Sequence, residues 1–298
     1  MKKKLLFIYN PKSGKGNIKN HLADIVDVFA KENYEIIIHP TQYAGEAVEV
    51  VRNQPEIDLV VCSGGDGTLD EVVTGMMKRE DKHPIGYIPA GSTNDFAVSL
   101  KIPKNMKKAA ITAVQGTSFA CDIGAFDDDF FVYIAAFGIF TEVSYETDQQ
   151  MKNMLGHLAY VLEGAIRLPQ TKSYHMKFTA NGETIEGDFM FGMVTNSRSV
   201  GGVTNITGKN VELDDGVFEV MLIKTPKNPL ELNLILSSLV LEKINTDLIY
   251  CFKTDRIDFM STEEVPWTLD GEFGGRKTAV TIKNEHKAIE IKVKKKPS

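Results

Sequence analysis

An excess of basic charge, a cysteine framework and long apolar runs are all lacking in this chain, and each lack removes a class of function. Against 34 Lys and Arg stand 40 Asp and Glu, for a formal net charge of −6. The continuous basic face of a general nucleic-acid binder is therefore not expected. Cysteine occurs only as Cys62, Cys121 and Cys251. Far apart, odd in number and set in apolar sequence, these predict three buried thiols in a reducing compartment, not a disulfide framework or a zinc site. No apolar stretch reaches the ~18–20 residues of a membrane span. The N-terminus passes from Lys2-Lys3-Lys4 into Leu5–Tyr9 and then Asn10-Pro11, too short a run for a signal sequence. A cytosolic protein is expected. The histidines, His157 included, show no metal-ligand spacing.

What is present is an ordinary globular composition, 43% hydrophobic and 25% charged over 298 residues, which favours two domains over one ever-growing core. The first part alternates strand and helix: Leu5–Tyr9, Ile18–Ala30, Tyr34–Ile38, Gly45–Val51, Leu59–Cys62, Leu69–Met77, Ile85–Ile88 and Met106–Val114. That rhythm predicts an α/β unit with a parallel sheet, whose ligands bind beyond the carboxyl ends of the strands. After about Asp122 the texture changes to strand candidates, namely Phe130–Phe137, Tyr174–Ala180, Phe189–Val194, Val217–Ile223, Arg256–Met260, Thr278–Ile282 and Ile289–Val293. Asn181-Gly182, Asp215-Gly216 and Asp270-Gly271 punctuate them as turns. Helical stretches at Leu155–Leu168 and Leu230–Leu241 interrupt. The expected architecture is an α/β domain over 1–121 and an antiparallel β-rich domain over 122–298, with the last strand able to rejoin the first domain.

Three polar, glycine-rich loops end strands of the first part. Gly64-Gly65-Asp66-Gly67-Thr68 lets the backbone turn sharply and opens a helix, bringing amides and the helix dipole to an anion. Asp66 within a phosphate cradle makes sense with Mg²⁺ between the charges, or as a plain N-cap. Asn10-Pro11-Lys12-Ser13-Gly14 is rich in donors but lacks the Walker spacing. Pro89-Ala90-Gly91-Ser92-Thr93-Asn94-Asp95-Phe96 offers hydroxyls for phosphate and Asp95 for a metal–water network or a helix cap.

Taken in order, Asn-Pro-x-Ser-Gly, Gly-Gly-Asp-Gly-Thr-x-x-Glu-Val and Pro-x-Gly-Ser-x-Asn-Asp-Phe resemble the diacylglycerol kinase catalytic domain, in the form found in soluble bacterial lipid kinases. Cys121–Gly124, Val143–Thr147, Leu213–Gly216 and Leu269–Glu272 extend the resemblance over the chain. It implies ATP-binding elements at Asn10, Pro11, Lys12, Ser13, Gly14, Thr41, Gly64, Gly65, Asp66, Gly67, Thr68, Leu69, Asp70 and Ser92. It implies that Asp66, Asp95 and Asp122 organise a catalytic Mg²⁺ through water. Asp215, with the carbonyls of Glu212 and Val217, resembles a separate structural Mg²⁺ site. The resemblance also makes the first domain the nucleotide-binding one and places Asp270 and Glu272 at the catalytic position, in the cleft between the two domains, with Asp270 preferred as the base. The chain departs from the family pattern at Asp70, where Asn is usual, and in Ser199–Lys209, which lacks the customary proline.

The resemblance implies an enzyme that uses ATP and Mg²⁺ to phosphorylate the hydroxyl of diacylglycerol, giving phosphatidate. An NAD kinase-like phosphotransferase, a kinase of another lipid alcohol and a non-enzymatic regulator are the alternatives. A lipid substrate requires transient visits to the inner face of the membrane. The lysines at 2–4, 101–108 and 292–296 could aid them, although a solvated edge is the favoured reading of the two terminal runs. A homodimer is suggested by resemblance only. Met154–Leu168 and Leu234–Leu241 are candidates for an acyl pocket or simply for core, and Trp267 is a candidate wall of the active site or a core residue.

Overall fold

A computed structural model describes residues 2–14, 16–92, 94–138, 172–197, 199–200, 203–204, 211–240 and 246–295. The chain forms two compact units: Met1–Ile123 together with His286–Ser298, and Gly124–Glu285. The helix expected at Leu155–Leu168 and the motif Val143–Thr147 lie outside the described residues.

The first unit is built on β1 (Lys3–Tyr9), α1 (Ile18–Lys31), β2 (Tyr34–Pro40), α2 (Glu46–Asn53), β3 (Leu59–Gly64), α3 (Asp66–Met77), β4 (Ile85–Pro89), α4 (Asp95–Ser99) and α5 (Met106–Gln115). Strands pair in parallel in the order β2-β1-β3-β4. Leu5 to Ile8 and Leu59 to Cys62 are buried throughout, as strands with helices on both faces must be. Helix α1 contacts α5, while α2 contacts α3. Helix α1 buries Ile18, Ile25, Val28 and Phe29, and Phe29 meets Phe7 edge-on at 5.4 Å. Because β1 has β2 on one side and β3 on the other, the strand order reverses between β1 and β3. That reversal is the point where open α/β sheets bind ligands.

A strand that the sequence reading did not separate, β5 (Thr117–Phe126), carries the chain into the second unit. There follow β6 (Asp129–Phe131), β7 (Ile134–Gly138), β8 (Tyr174–Ala180), β9 (Glu183–Thr195), β10 (Ser199–Val200), β11 (Val203–Thr204), β12 (Phe218–Lys224), α6 (Pro229–Val240), β13 (Ile249–Thr254), β14 (Arg256–Leu269) and β15 (Glu272–Val293). Among the described residues, the strands of this unit pair antiparallel. They run β13-β12-β9, then β7 and β8, each paired with β9 on one side and β14 on the other, then β14 and β15, with β10 and β11 forming a separate two-stranded ladder. Inward residues of one face form the core: Phe137, Phe178, Phe189, Phe218, Phe259 and their neighbours. Trp267 belongs to that core, 1% exposed and ringed by Phe126, Phe137 and Phe259 at 4.9–5.2 Å.

Three expectations need revision. Phe130–Phe137 is two strands, broken at Val132-Tyr133. Thr278–Ile282 and Ile289–Val293 are parts of one strand, β15, which returns the chain to the first unit and places Ile291 beside Ile85 of β4 in parallel. Cys62 and Cys121 are buried, but Cys251 is exposed, since its neighbours Tyr250 and Phe252 take the side of β13 that packs on the core.

Candidate active site

The three glycine-rich loops meet. Asn10 begins the first with an Asx turn, its Oδ1 accepting the Lys12 amide at 2.9 Å and its carbonyl the Ser13 amide at 3.2 Å. The Asn10 amide donates to the Ser63 carbonyl at 2.9 Å, which ties this loop to the end of β3. Gly14 sits at φ +57, where a Cβ would lie 2.3 Å from the Ala90 carbonyl oxygen. A Cβ on Gly91 would lie 2.5 Å from Gly65 Cα, and one on Gly65 would lie 3.6 Å from Ser13 Oγ. At Gly14 and Gly91 the facing backbone leaves room only for hydrogen, while a Cβ on Gly65 would make ordinary contact.

Hydrogen bonds hold the contact. The amides of Ala90 and Gly91 both donate to the Gly64 carbonyl, at 2.8 and 3.2 Å. Asn94, at φ +55, clamps Gly91 from both sides: its Oδ1 accepts the Gly91 amide at 3.0 Å and its Nδ2 donates to the Gly91 carbonyl at 2.8 Å. The buried Tyr87 hydroxyl lies 3.2 Å from both Gly64 O and Asn94 Oδ1. The sequence does not single out Tyr87, and it shows Asn94 only as a member of the third loop's motif, with no role of its own. Tyr87 is hidden in an apolar strand, and Asn94 reads as one more turn residue. Asn94→Ala should cost about 1–3 kcal/mol through the groups it leaves unpaired, seen as a lower urea midpoint at unchanged slope.

Within this frame Gly64, Gly65, Asp66, Gly67, Thr68 and Leu69 run from β3 into α3, with Thr68 and Leu69 buried. Asp70 is half-buried, while Lys12 and Ser92 are exposed. Thr41 is buried at the end of β2, its amide donating to the Tyr9 carbonyl at 2.9 Å. Asp66 and Asp95 head α3 and α4 and are 2% and 1% exposed. Burial holds the Tyr87 phenol well above its ordinary range, and the nearby carboxylates of Asp66 and Asp95 push it further. Two hard oxygen donors beside a cradle of amides suit Mg²⁺ accompanying phosphates.

Asp122, fully buried on β5, stands apart in its partners. Its Oδ1 accepts the Lys287 amide at 2.7 Å and faces His286 Nδ1 at 3.0 Å. Lys287, at φ +50 inside β15, turns its amide toward that carboxylate. Among the described residues, no three Asp, Glu, His or Cys side chains converge in metal-ligating geometry.

In the second unit, Asp270-Gly271 is the two-residue turn joining β14 to β15, with Leu269 opposite Glu272. Both turn residues have positive φ, 50° and 93°, as a type I′ hairpin requires. The Asp270 side chain does more than turn the chain. Oδ1 accepts the amides of Tyr133 (2.9 Å) and Ile134 (2.8 Å), and Oδ2 accepts that of Val132 (2.5 Å). Its carbonyl accepts the Tyr133 hydroxyl at 3.1 Å. The break between β6 and β7 is thus organised by one buried carboxylate. Glu272, two residues on, is exposed.

The proposed structural metal site fits less well. Asp215 Oδ1 accepts the Val217 amide at 3.3 Å, and Oδ2 lies 3.0 Å from Lys253 Nζ. Glu212 is exposed. A lysine ammonium already stands where a dication would need the carboxylate, so this donor set does not suit Mg²⁺.

Comparison with known proteins agrees with this frame. Residues 4–126 match the family of the diacylglycerol kinase catalytic domain, and residues 134–292 match the YegS C-terminal NAD kinase beta sandwich-like domain. The chain is 36% identical to a diacylglycerol kinase of Bacillus subtilis (strain 168) over 276 residues, covering 92% of this chain and 91% of that protein. It is 33% identical over 279 residues to one of Staphylococcus carnosus (strain TM300), covering 93% and 90%. The crystal structure of a diacylglycerol kinase from Bacillus anthracis str. Sterne superposes with a TM-score of 0.79 at 26% identity, over 98% of this chain and 97% of that one. With both units matched and close relatives aligned along nearly their full length, the chain belongs to the family of the diacylglycerol kinase catalytic domain.

Proposed function

We propose that this protein transfers the γ-phosphoryl group of ATP to the free hydroxyl of diacylglycerol, yielding phosphatidate and ADP. The observation that carries the proposal is the contact of the loops after β1, β3 and β4 at the strand-order reversal, with Asp66 and Asp95 buried beside it. Phosphoryl transfer asks chiefly for positioned donors and charge neutralisation, and that is what these residue types provide. The loop amides, Ser13, Lys12, Thr41, Thr68 and Ser92 bind and orient the phosphates and nucleotide. Asp66 and Asp95, with Asp122 as an outer partner, would hold Mg²⁺, which when bound neutralises charge across the β- and γ-phosphates.

The attacking alcohol must lose its proton as its oxygen bonds phosphorus and the bond to the β-phosphate breaks. Glu272 is our choice of acceptor, reversing the preference for Asp270. Both Asp270 oxygens already receive backbone amides, and protonating either would set a donor against a donor. Glu272 is exposed, near that rigid turn. Glu272→Gln is expected to lower kcat by about 10²–10⁴-fold at saturating ATP with the melting temperature unchanged. Wild-type melting with full activity would remove Glu272 from the reaction.

The assay supplies labelled ATP with diacylglycerol in mixed micelles, with NAD, or with neither. Label in lipid only when diacylglycerol is present supports the proposal, and phosphorylation of NAD alone overturns it. No described helix is long and apolar enough to cross a membrane. Access to lipid would come through peripheral contact of the lysine clusters, which rising salt should weaken.

A further inference from the structure

We propose that Lys253 is the resident cation of the loop Leu213–Val217, and that this chain orders the loop without the divalent metal that its family resemblance would place on Asp215. The inference is independent of the reaction proposed above.

Its basis is the backbone register between β12 and β13. Glu219 and Lys253 are directly opposite each other in that antiparallel pair, so their side chains share a face. Lys253 Nζ lies 3.0 Å from Glu219 Oε1 and 3.0 Å from Asp215 Oδ2. The Glu219 side chain is 5% exposed and that of Asp215 22% exposed. The backbone of Lys253 is fixed as well, its carbonyl accepting Asn181 Nδ2 from the β8–β9 turn at 2.9 Å. One tethered ammonium therefore bridges the loop carboxylate to a buried carboxylate on the neighbouring strand.

A divalent ion would have to undo this arrangement. Mg²⁺ holds its oxygens at ~2.0–2.1 Å in octahedral geometry, and on Asp215 it would stand beside a like charge. Moving the ammonium aside would leave Glu219 buried without its cation, which is costly. Asp215 meanwhile closes the loop on itself through the Val217 amide, and Lys253, being covalently part of the chain, cannot dissociate.

The test counts bound Mn²⁺ by electron paramagnetic resonance on the full chain without nucleotide, comparing wild type with Asp215→Asn. The same number of sites in both is expected. A site present in wild type and missing in Asp215→Asn would overturn the proposal. In parallel, Lys253→Met is expected to melt roughly 5–10 °C lower and Lys253→Arg close to wild type. An unchanged melting temperature in Lys253→Met would also overturn the proposal. If that variant does not fold, the Mn²⁺ count in the other two proteins decides.

Discussion

Asp270→Asn is expected to destabilise the second unit by roughly 3–5 kcal/mol. The carboxylate accepts three backbone amides from Val132, Tyr133 and Ile134 at 2.5–2.9 Å, at a site 2% exposed. Hydrogen bonds to a charged acceptor contribute about 1.5–3 kcal/mol net, and a buried donor left unsatisfied costs about 1–3 kcal/mol. An asparagine keeps one oxygen, which can still serve Tyr133 and Ile134. Its amide nitrogen would meet the Val132 N–H donor to donor. At about 2–4 °C per kcal/mol for a unit of this size, the melting temperature should fall by about 10 °C. Any loss of activity would follow the loss of fold. Thermal unfolding followed by Trp267 fluorescence reads this directly, since that indole lies in the same core. An Asp270→Asn protein with wild-type melting would show that the carboxylate is not the anchor described.

Gly91→Ala should disable the nucleotide site. The added Cβ would lie 2.5 Å from Gly65 Cα and 2.9 Å from Asn94 Oδ1. The first neighbour is backbone and cannot rotate away, and the second is the clamp itself. Forcing extra atoms into close-packed structure costs about 1–3 kcal/mol. The larger effect is geometric: the loops after β3 and β4 must separate, and a displacement of ~1 Å at a phosphate site lowers the rate by about 100-fold. The prediction is a modest fall in melting temperature with a loss of activity far out of proportion to it. Equilibrium binding of a fluorescent ATP analogue separates the two readouts. Normal affinity and rate in Gly91→Ala would mean that the loop contact is incidental.

How far the sequence reveals the molecule depends on where each signal is stored. The buried strands of the first unit declare themselves because helices cover both faces, so Leu5–Ile8 and Leu59–Cys62 read as unbroken apolar runs. Strand β8 alternates cleanly and runs over Tyr174–Ala180 as its pattern predicts. The first half of β9, Glu183 to Asp188, does not read as a strand. It is polar and largely exposed, and it exists because the Asn181-Gly182 turn delivers it to β8. The middle of β14, Ser261 to Glu264, is concealed for the same reason of exposure.

At the candidate site, the loops were legible because glycine and Asx chemistry is local. The anchoring of Asp270 was not, because its amide partners lie more than 130 residues away in sequence. The partners of Asp122, His286 and Lys287, are hidden by a similar separation. Tyr87 looked like any core aromatic until its hydroxyl had partners. Charge partnership is likewise invisible in composition: Lys253 looks like a surface lysine of an alternating strand until Glu219 faces it.

The path of β15 has a consequence for how the protein is made. Its closing stretch, from His286 onward, belongs to the same unit as residues 1–123, while the other unit is one uninterrupted segment, Gly124–Glu285. During synthesis from the N-terminus, the later-made unit has its whole segment available first. The earlier-made one must wait for a stretch that follows all of that segment in the chain. Until then β4 lacks its neighbour at Ile85 and presents open main-chain groups, the kind of edge that invites wrong pairings.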